Sequence, residues 1–176
     1  MLFSLTILFY SCDSDEVSEE TSSVATFTAK INGEMITANT ITNSNLIHQD
    51  NGINQAAILV FYAENDQYEF TVTLADYNNT TNCLSTGDYK NDIEGKEVIL
   101  WISYKNNGNT YMIHLPTESD GVTAEYIEIT NCSNNKISGN FSSSYEKMGE
   151  IDGLTTPDNI SITEGRFENI VFNVVN

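Results

Sequence analysis

Residues 67–75 read QYEFTVTLA, and the alternation in this stretch decides the fold class. Every second position is apolar: Tyr68, Phe70, Val72 and Leu74. The positions between them hold a glutamate and two threonines. Because successive side chains of a strand point to opposite faces, the stretch predicts a strand with one buried face and one face in water.

The chain on either side repeats this strand pattern. Residues 24–31 (VATFTAKI) alternate in the same way and run into Asn32-Gly33, which suits the positive φ angles of a type I′ hairpin turn. A second hairpin signal, NNGN at residues 106–109, separates the strand-like stretches VILWISYK and NTYMIHL. Further strands are expected in AEYIEIT, KISGNFSSS and GRFENIVFNVV. The stretch INQAAILVFYA at residues 53–63 lacks alternation in its middle, which predicts a strand covered on both faces or a short barrel wall.

These strands predict an all-β domain over residues 24–176, with an antiparallel β-sandwich as the expected architecture. The chain has only two prolines, and turn signals recur about every ten residues, which is typical of sandwiches and barrels. An up-and-down, lipocalin-like β-barrel is the alternative, because a barrel wall produces the same alternation of apolar and polar residues.

Residues 2–10 form an uncharged, mostly apolar run that ends at Ser11-Cys12. The run is too short to span a bilayer, which takes about 20 apolar residues, and it has the length of the apolar core of a secretory signal. A cysteine at the expected cleavage point offers a thiol for diacylglycerol and, after cleavage, an amine for a fatty acid such as palmitate. We therefore predict a partial lipoprotein signal peptide at residues 1–11 and lipidation of Cys12, which would anchor the chain to a membrane.

Residues 12–23 hold that cysteine and an acidic tether, DSDEVSEETSS. Clustered like charges repel and bury little surface, so this segment is expected to stay solvated. It is similar to the acidic run that follows the lipidated cysteine in surface-exported lipoproteins of the Bacteroidota. The similarity implies an export signal at Asp13, Ser14, Asp15 and Glu16 and a place on the cell-surface side of the outer membrane. The alternative is a charged spacer, with the domain on the periplasmic face.

The composition is strongly acidic and excludes one class of partner. The formal net charge is −18, and the tether carries five of the acidic residues, so residues 24–176 keep −13. A field of this sign repels phosphate backbones, so nucleic acid is not an expected partner. Cations, or a basic or neutral partner, fit better, and the partner is expected to be a protein or a glycan.

Three cysteines occur in the chain, and lipidation of Cys12 leaves an even pair. In an exported, oxidising setting Cys83 and Cys132 are expected to form a disulfide. A loop of this length corresponds to about 4 kcal/mol of stabilisation by chain entropy.

The sequence offers no recognisable catalytic or metal motif, and we predict that the protein is not an enzyme. Its two histidines, His48 and His114, have no Gly-rich nucleophile elbow nearby, and His114 is expected on the wetter face of its strand. No H-x-x-x-H or C-x-x-C spacing predicts zinc, and no cofactor is expected. Acidic loops at residues 91–95, 117–121 and 150–153 leave a structural calcium ion as an alternative to solvated turns.

Trp101 is the candidate ligand contact. It projects opposite to Leu100 and Ile102, so it lies outside if those residues line the core. Large aromatic residues are mostly buried, which favours a core position for it. If Trp101 is exposed instead, a sugar-stacking surface that includes Tyr62, Tyr111 or Tyr126 becomes reasonable.

Three segments together resemble small exported lipoproteins of the Bacteroidota with unassigned function: FTAKINGEMITA, KISGNFSSS and ITEGRFENIVF. In that family an opening hairpin with a central glycine leads to two closing strands that each carry a Gly-x-Phe step. Here the steps are Gly139-Asn140-Phe141 and Gly165-Arg166-Phe167. The resemblance implies a one-domain, β-sandwich-like lipoprotein and brings no catalytic residues. Physically, each glycine indicates a bulge or a close backbone approach, and each phenylalanine is expected in the core.

Three functions follow from these expectations. The first is a non-enzymatic outer-membrane lipoprotein that displays its β-domain for binding or envelope assembly. The second is a glycan-binding accessory lipoprotein of a nutrient-uptake system, which an exposed Trp101 would favour. The third is a carrier of a small apolar ligand, which an apolar cavity inside a barrel would favour.

Overall fold

The protein is described by a computed structural model that covers residues 24–50, 55–119 and 121–175. The signal peptide, the lipidation of Cys12 and the export signal at residues 13–16 lie outside the described residues. Within those residues the chain forms fifteen strands and no helix. In chain order they are β1 (Thr26–Ile31), β2 (Glu34–Thr37), β3 (Thr40–Asp50), β4 (Gln55–Glu64), β5 (Tyr68–Tyr77), β6 (Gly87–Tyr89), β7 (Lys96–Asn106), β8 (Asn109–Tyr111), β9 (His114–Pro116), β10 (Glu118–Ser119), β11 (Val122–Thr123), β12 (Tyr126–Ser133), β13 (Lys136–Lys147), β14 (Asn159–Val171) and β15 (Asn173–Val175).

Most of these strands belong to two sheets that pack as a sandwich, as predicted. The first sheet has the order β2-β1-β14-β13-β12-β6, with β9 paired to the end of β13. The second sheet has the order β15-β3-β4-β5-β7-β8, and β10 with β11 forms a small separate ribbon. The barrel alternative is wrong, because each sheet ends in its own edge strands and the described strands do not close into a ring. One pair departs from the antiparallel expectation, since β15 runs parallel to β3.

The core between the sheets is built around five buried phenylalanines. Phe27 of β1 lies 4.8 Å from Phe141 of β13 and 5.0 Å from Phe70 of β5, measured between ring centroids. Phe61 of β4 meets Phe167 of β14 edge-on at 5.5 Å. Both sheets contribute to this layer, so the alternation of residues 67–75 and its repeats is explained by burial against the opposite sheet.

The two Gly-x-Phe steps pack against each other across β13 and β14. The register places Gly139 opposite Phe167 and Phe141 opposite Gly165. A Cβ atom added to Gly165 would lie 2.5 Å from both Cδ2 and the backbone oxygen of Phe141, and the Phe167 ring closes over Gly139 in the same way. Each glycine therefore makes room for the other strand's ring, which confirms the predicted close approach and the core position of both phenylalanines.

Both predicted hairpin turns and the predicted disulfide are present. Residues 32 and 33 have φ angles of 50° and 87°, and residues 107 and 108 have 50° and 79°. Cys83 and Cys132 are bonded, with their Cα atoms 5.7 Å apart. Because Cys83 follows β5 and Cys132 lies in β12, the bond ties the loop after a strand of the second sheet to the first sheet.

Candidate functional site

The outward faces of the two sheets differ in chemistry at their centres, although Met35, Leu115 and Val171 are exposed near the strand ends of the first sheet. On the first sheet, ion pairs cross neighbouring strands or flank them, such as Lys30 with Glu164 at 2.6 Å between Nζ and Oε1. Asn140 Nδ2 likewise donates to Glu128 Oε2 at 3.0 Å. This face satisfies its own polar groups and is typical of a solvated surface.

The outward face of the second sheet is apolar in its centre. Strand register aligns three rows across β3, β4, β5 and β7. The first row is Thr42, Tyr62, Thr71 and Trp101, the second is Asn45, Val60, Thr73 and Ile99, and the third is Ile47, Ile58, Ala75 and Glu97. We call these twelve residues the apolar face.

Several large side chains of the apolar face are open to solvent. Trp101 is 40% exposed, Ile99 38% and Ile47 37%, while Tyr62 and Val60 are half-buried. Four strands about 4.8 Å apart and three rows about 7 Å apart give the face an area of roughly 300 Å², side-chain margins included. Seven of its twelve side chains are apolar, and the largest apolar patch on a protein surface is often a functional contact surface.

The centre of the apolar face is uncharged, and the one charged residue among its twelve, Glu97, lies at the end of the third row. The rows of Trp101 and Ile99 hold no charged residue. At one end Glu64 of β4 pairs with Lys105 at 2.9 Å, and Glu69 lies beside Glu64 in the register. At the other end Glu97 closes the third row. The first two rows are therefore a neutral surface with a mainly acidic rim.

Trp101 is exposed, so the expectation that favoured the core is wrong. The outward side of β7 has no described element packed over it, whereas Leu100 and Ile102 point into the core and are fully buried. The related expectation for residues 53–63, a strand covered on both faces, fails for the same reason. On the outward side of β4 only Ala56 is buried, and Ile58, Val60 and Tyr62 remain half-buried.

Only one of the three tyrosines named with Trp101 shares its face. Tyr62 lies in the same register row, separated from Trp101 by Thr71 of β5. Tyr111 is the register partner of the buried Tyr104 and packs against the core. Tyr126 belongs to the first sheet, where its hydroxyl donates to Asp88 at 2.9 Å.

Neither histidine is placed in a catalytic arrangement by its described contacts. His114 is 1% exposed, so its predicted wetter position is wrong; its Nε2 lies 2.9 Å from the carbonyl oxygen of Pro157, and burial lowers its pKa. The reason is that β9 pairs with β13 at a place where the segment around residue 157 covers it. His48 Nε2 lies 3.3 Å from Asn82 Oδ1 beside a polar cleft of about 260 Å³.

Two buried acids, which the sequence did not single out, support the scaffold. The carboxylate of Asp76 accepts hydrogen bonds from Asn79 and from the Ser85 backbone and pairs with Lys96 at 3.0 Å. Burial alone would raise the pKa of Asp76, but these hydrogen bonds outweigh it and lower the pKa to about 2. The network holds the loop that carries Cys83.

Glu125 covers an open edge of the second sheet. Its Oε1 accepts a hydrogen bond from the Leu100 N–H at 2.6 Å, while the hydroxyl of Tyr145 donates to the Leu100 carbonyl. Glu125, just before β12, and Tyr145 of β13 thus satisfy the β7 backbone where no strand pairs with it. Burial raises the pKa of Glu125. The role of both buried acids is structural.

The described part of the chain holds neither a metal-binding cluster nor a membrane-spanning helix. There, no group of three or more histidine, cysteine, aspartate and glutamate side chains is placed to hold a metal ion, and the acids of the candidate calcium loops do not form one. Over the same residues, no helix has the length and apolarity needed to cross a bilayer. Comparison with known proteins finds no family model, curated protein or solved structure that matches this chain.

Proposed function

We propose that this chain is a non-enzymatic, lipid-anchored binding module of the outer membrane, displayed at the cell surface, whose partner binds the apolar face. The observation that carries the proposal is the exposed Trp101 on an apolar sheet face with an uncharged centre, whereas ion pairs such as Lys30 with Glu164 occupy the outward side of the other sheet. Leaving such a patch in water is unfavourable, so its presence favours a surface that is covered by a partner.

The N-terminal sequence supports the anchoring part of the proposal. A lipidated Cys12 followed by the tether would hold the domain at the membrane while leaving both sheets accessible. The resemblance to exported Bacteroidota lipoproteins points the same way and favours the cell-surface side over the periplasmic side. No cofactor enters the proposal.

The carrier hypothesis is less well supported. It required an apolar cavity, whereas the space between the sheets holds the stacked phenylalanines of the core. A partner on the outside of the sandwich needs no such cavity.

Thiol labelling in living cells tests the proposal. Thr73→Cys places a thiol in the centre of the apolar face, and Ser142→Cys places a matched, half-buried thiol on the outward face of the first sheet. Each variant is treated with a membrane-impermeant maleimide on intact cells and again after purification. A Cys12→Ala variant reports anchoring through the amount of protein that leaves the membrane fraction.

We expect Ser142→Cys to react equally fast in cells and in purified protein, and Thr73→Cys to react several times more slowly in cells. Equal rates for Thr73→Cys in both settings would refute a covered apolar face. Reaction of Ser142→Cys only after lysis would refute surface display, and retention of Cys12→Ala in the membrane would refute the lipid anchor.

A further inference from the structure

The first row of the apolar face has the spacing of a stacking platform. Tyr62 and Trp101 lie on the same row with one strand between them, so their backbones are about 10 Å apart. That distance is about the length of two sugar rings in an extended chain. The C–H groups on the flat side of a sugar carry partial positive charge and are attracted to the negative face of an aromatic ring.

Hydrogen-bonding side chains lie between and beside the two rings. Thr71 separates Tyr62 from Trp101, and Thr73 lies next to it along β5. Asn45 adds an amide in the second row. Sugars present hydroxyl groups at the edges of their rings, so a surface that alternates aromatic and hydroxyl side chains matches both parts of a glycan.

The charge of the domain decides which glycans fit. Residues 24–176 carry a net charge of −13, and Lys105, the cation at the border of the face, is paired with Glu64. An anionic polysaccharide would be repelled and would find no free cation within the two rows of Trp101 and Ile99. A neutral chain meets no such penalty.

The size of the face argues against a large protein partner or a second copy. A standard protein interface buries about 800 Å² on each partner, so a protein seated on this face would also have to cover the acidic residues Glu64, Glu69 and Glu97 around its centre. Two copies of this domain would also bring together acidic rims of equal sign, at Glu64, Glu69 and Glu97.

We infer that the apolar face binds a neutral, extended polysaccharide that runs across the strands and stacks one sugar ring on Trp101 and another on Tyr62. The inference rests on the proposed function and names its ligand class. It requires only non-covalent contacts, with no chemical step.

Trp101 is the single tryptophan of the chain, so its intrinsic fluorescence reports on this face alone. The purified protein is titrated with neutral hexasaccharides (cellohexaose, xylohexaose and mannohexaose), with the matching disaccharides, and with oligogalacturonate as an anionic chain. We expect saturable quenching or a blue shift with at least one neutral hexasaccharide, and binding at least about tenfold weaker for its disaccharide, since only one stacking contact remains. Oligogalacturonate should leave the emission unchanged.

A pair of variants localises the contact. Tyr62→Leu keeps an apolar side chain for folding and should weaken hexasaccharide binding by about tenfold, while Tyr126→Leu on the first sheet should not change it. Melting temperatures confirm that both variants fold. Equal binding by the two variants would overturn the inference, as would the absence of an emission change with every neutral hexasaccharide.

The labelling experiment separates this failure from failure of the proposed function. If no neutral glycan shifts the emission but Thr73→Cys is still protected in cells, the face binds another class of partner and only the present inference falls. If neither effect is found, both proposals fall.

Discussion

Replacing Gly165 by alanine tests whether the reciprocal packing of the Gly-x-Phe steps holds the sandwich together. Gly165 does not have a positive φ angle, so alanine fits its backbone conformation. The added methyl group would nevertheless lie 2.5 Å from Cδ2, 2.6 Å from Cε2 and 2.5 Å from the backbone oxygen of Phe141. The substitution therefore introduces a steric conflict with both the ring and the backbone of Phe141, although the φ angle of Gly165 suits alanine.

The size of the effect follows from what can move. Carbon atoms prefer to be about 3.5 to 4 Å apart, so the Phe141 ring would have to withdraw by about 1 Å. Phe27 blocks that movement, because its centroid lies 4.8 Å away in a stacked arrangement. Overpacking of this kind costs about 1 to 3 kcal/mol, and the lower entropy of the unfolded alanine chain returns about 0.4 to 1 kcal/mol. Because the Phe141 backbone oxygen cannot withdraw with the ring, the cost lies at the upper end of that range, so we expect Gly165→Ala to lose about 2 kcal/mol, which lowers the melting temperature by about 4 to 8 °C.

Circular dichroism during urea and thermal unfolding measures this loss. Gly149→Ala is the matched control, because a Cβ at that position meets no atom within 4 Å and the φ angle is not positive. We expect the control to stay within about 0.5 kcal/mol of the wild type. Combining Gly165→Ala with Phe141→Leu should cost less than the sum of the two changes, because the ring that clashes is gone. A Gly165→Ala protein as stable as Gly149→Ala would refute the reasoning.

Three further predictions concern the disulfide and the two buried acids. The Cys83–Cys132 bond should contribute up to about 4 kcal/mol of stability, which is lost on full reduction or on substitution of both cysteines by serine. An unchanged melting temperature, with thiol titration confirming that both cysteines are reduced, would contradict this. The pKa of Asp76 is lowered to about 2 from 3.8, so its stabilising contribution is present above pH 3.8 and is lost as the pH falls towards 2. Asp76→Asn, which weakens the contact with Lys96, should be about 2 kcal/mol less stable at pH 7, and its deficit should close over that acidic range in pH-dependent melts. The pKa of Glu125 is raised, so the stability of the wild type should fall as the pH rises from 4.5 through that pKa. Glu125→Gln still accepts a hydrogen bond from the β7 backbone but should lack this fall in stability. Parallel pH profiles of the two proteins would contradict the prediction.

Local chemistry was sufficient to predict many of the strands and the turns from the sequence. The alternation of residues 67–75 predicts a buried face because one side of β5 packs on the opposite sheet. Asn32-Gly33 predicts a turn because few residue pairs accept two positive φ angles. The cysteine pair was also predictable, since Cys83 and Cys132 form the even pair left after lipidation of the first cysteine.

Other features depended on contacts between distant segments and were not visible in the sequence. Strand β3 was not predicted, because TITNSNLIHQD is polar and its register shifts between Thr42 and Asn45. It becomes a strand by pairing with β4 along one edge and, in parallel, with β15 along the other. The burial of His114 likewise depends on a segment more than forty residues away.

The sequence by itself determined an all-β chain with one apolar side on most strands, because alternation and turn residues act over a few positions. Only the tertiary structure decided how the strands were shared between two sheets and which outward face remained uncovered. Trp101 shows the difference most clearly. Its position opposite Leu100 was fixed by the strand period, but its exposure was decided by the absence of any described element over the second sheet. A strand's period defines its two sides, whereas the packing of the whole chain determines which side meets water.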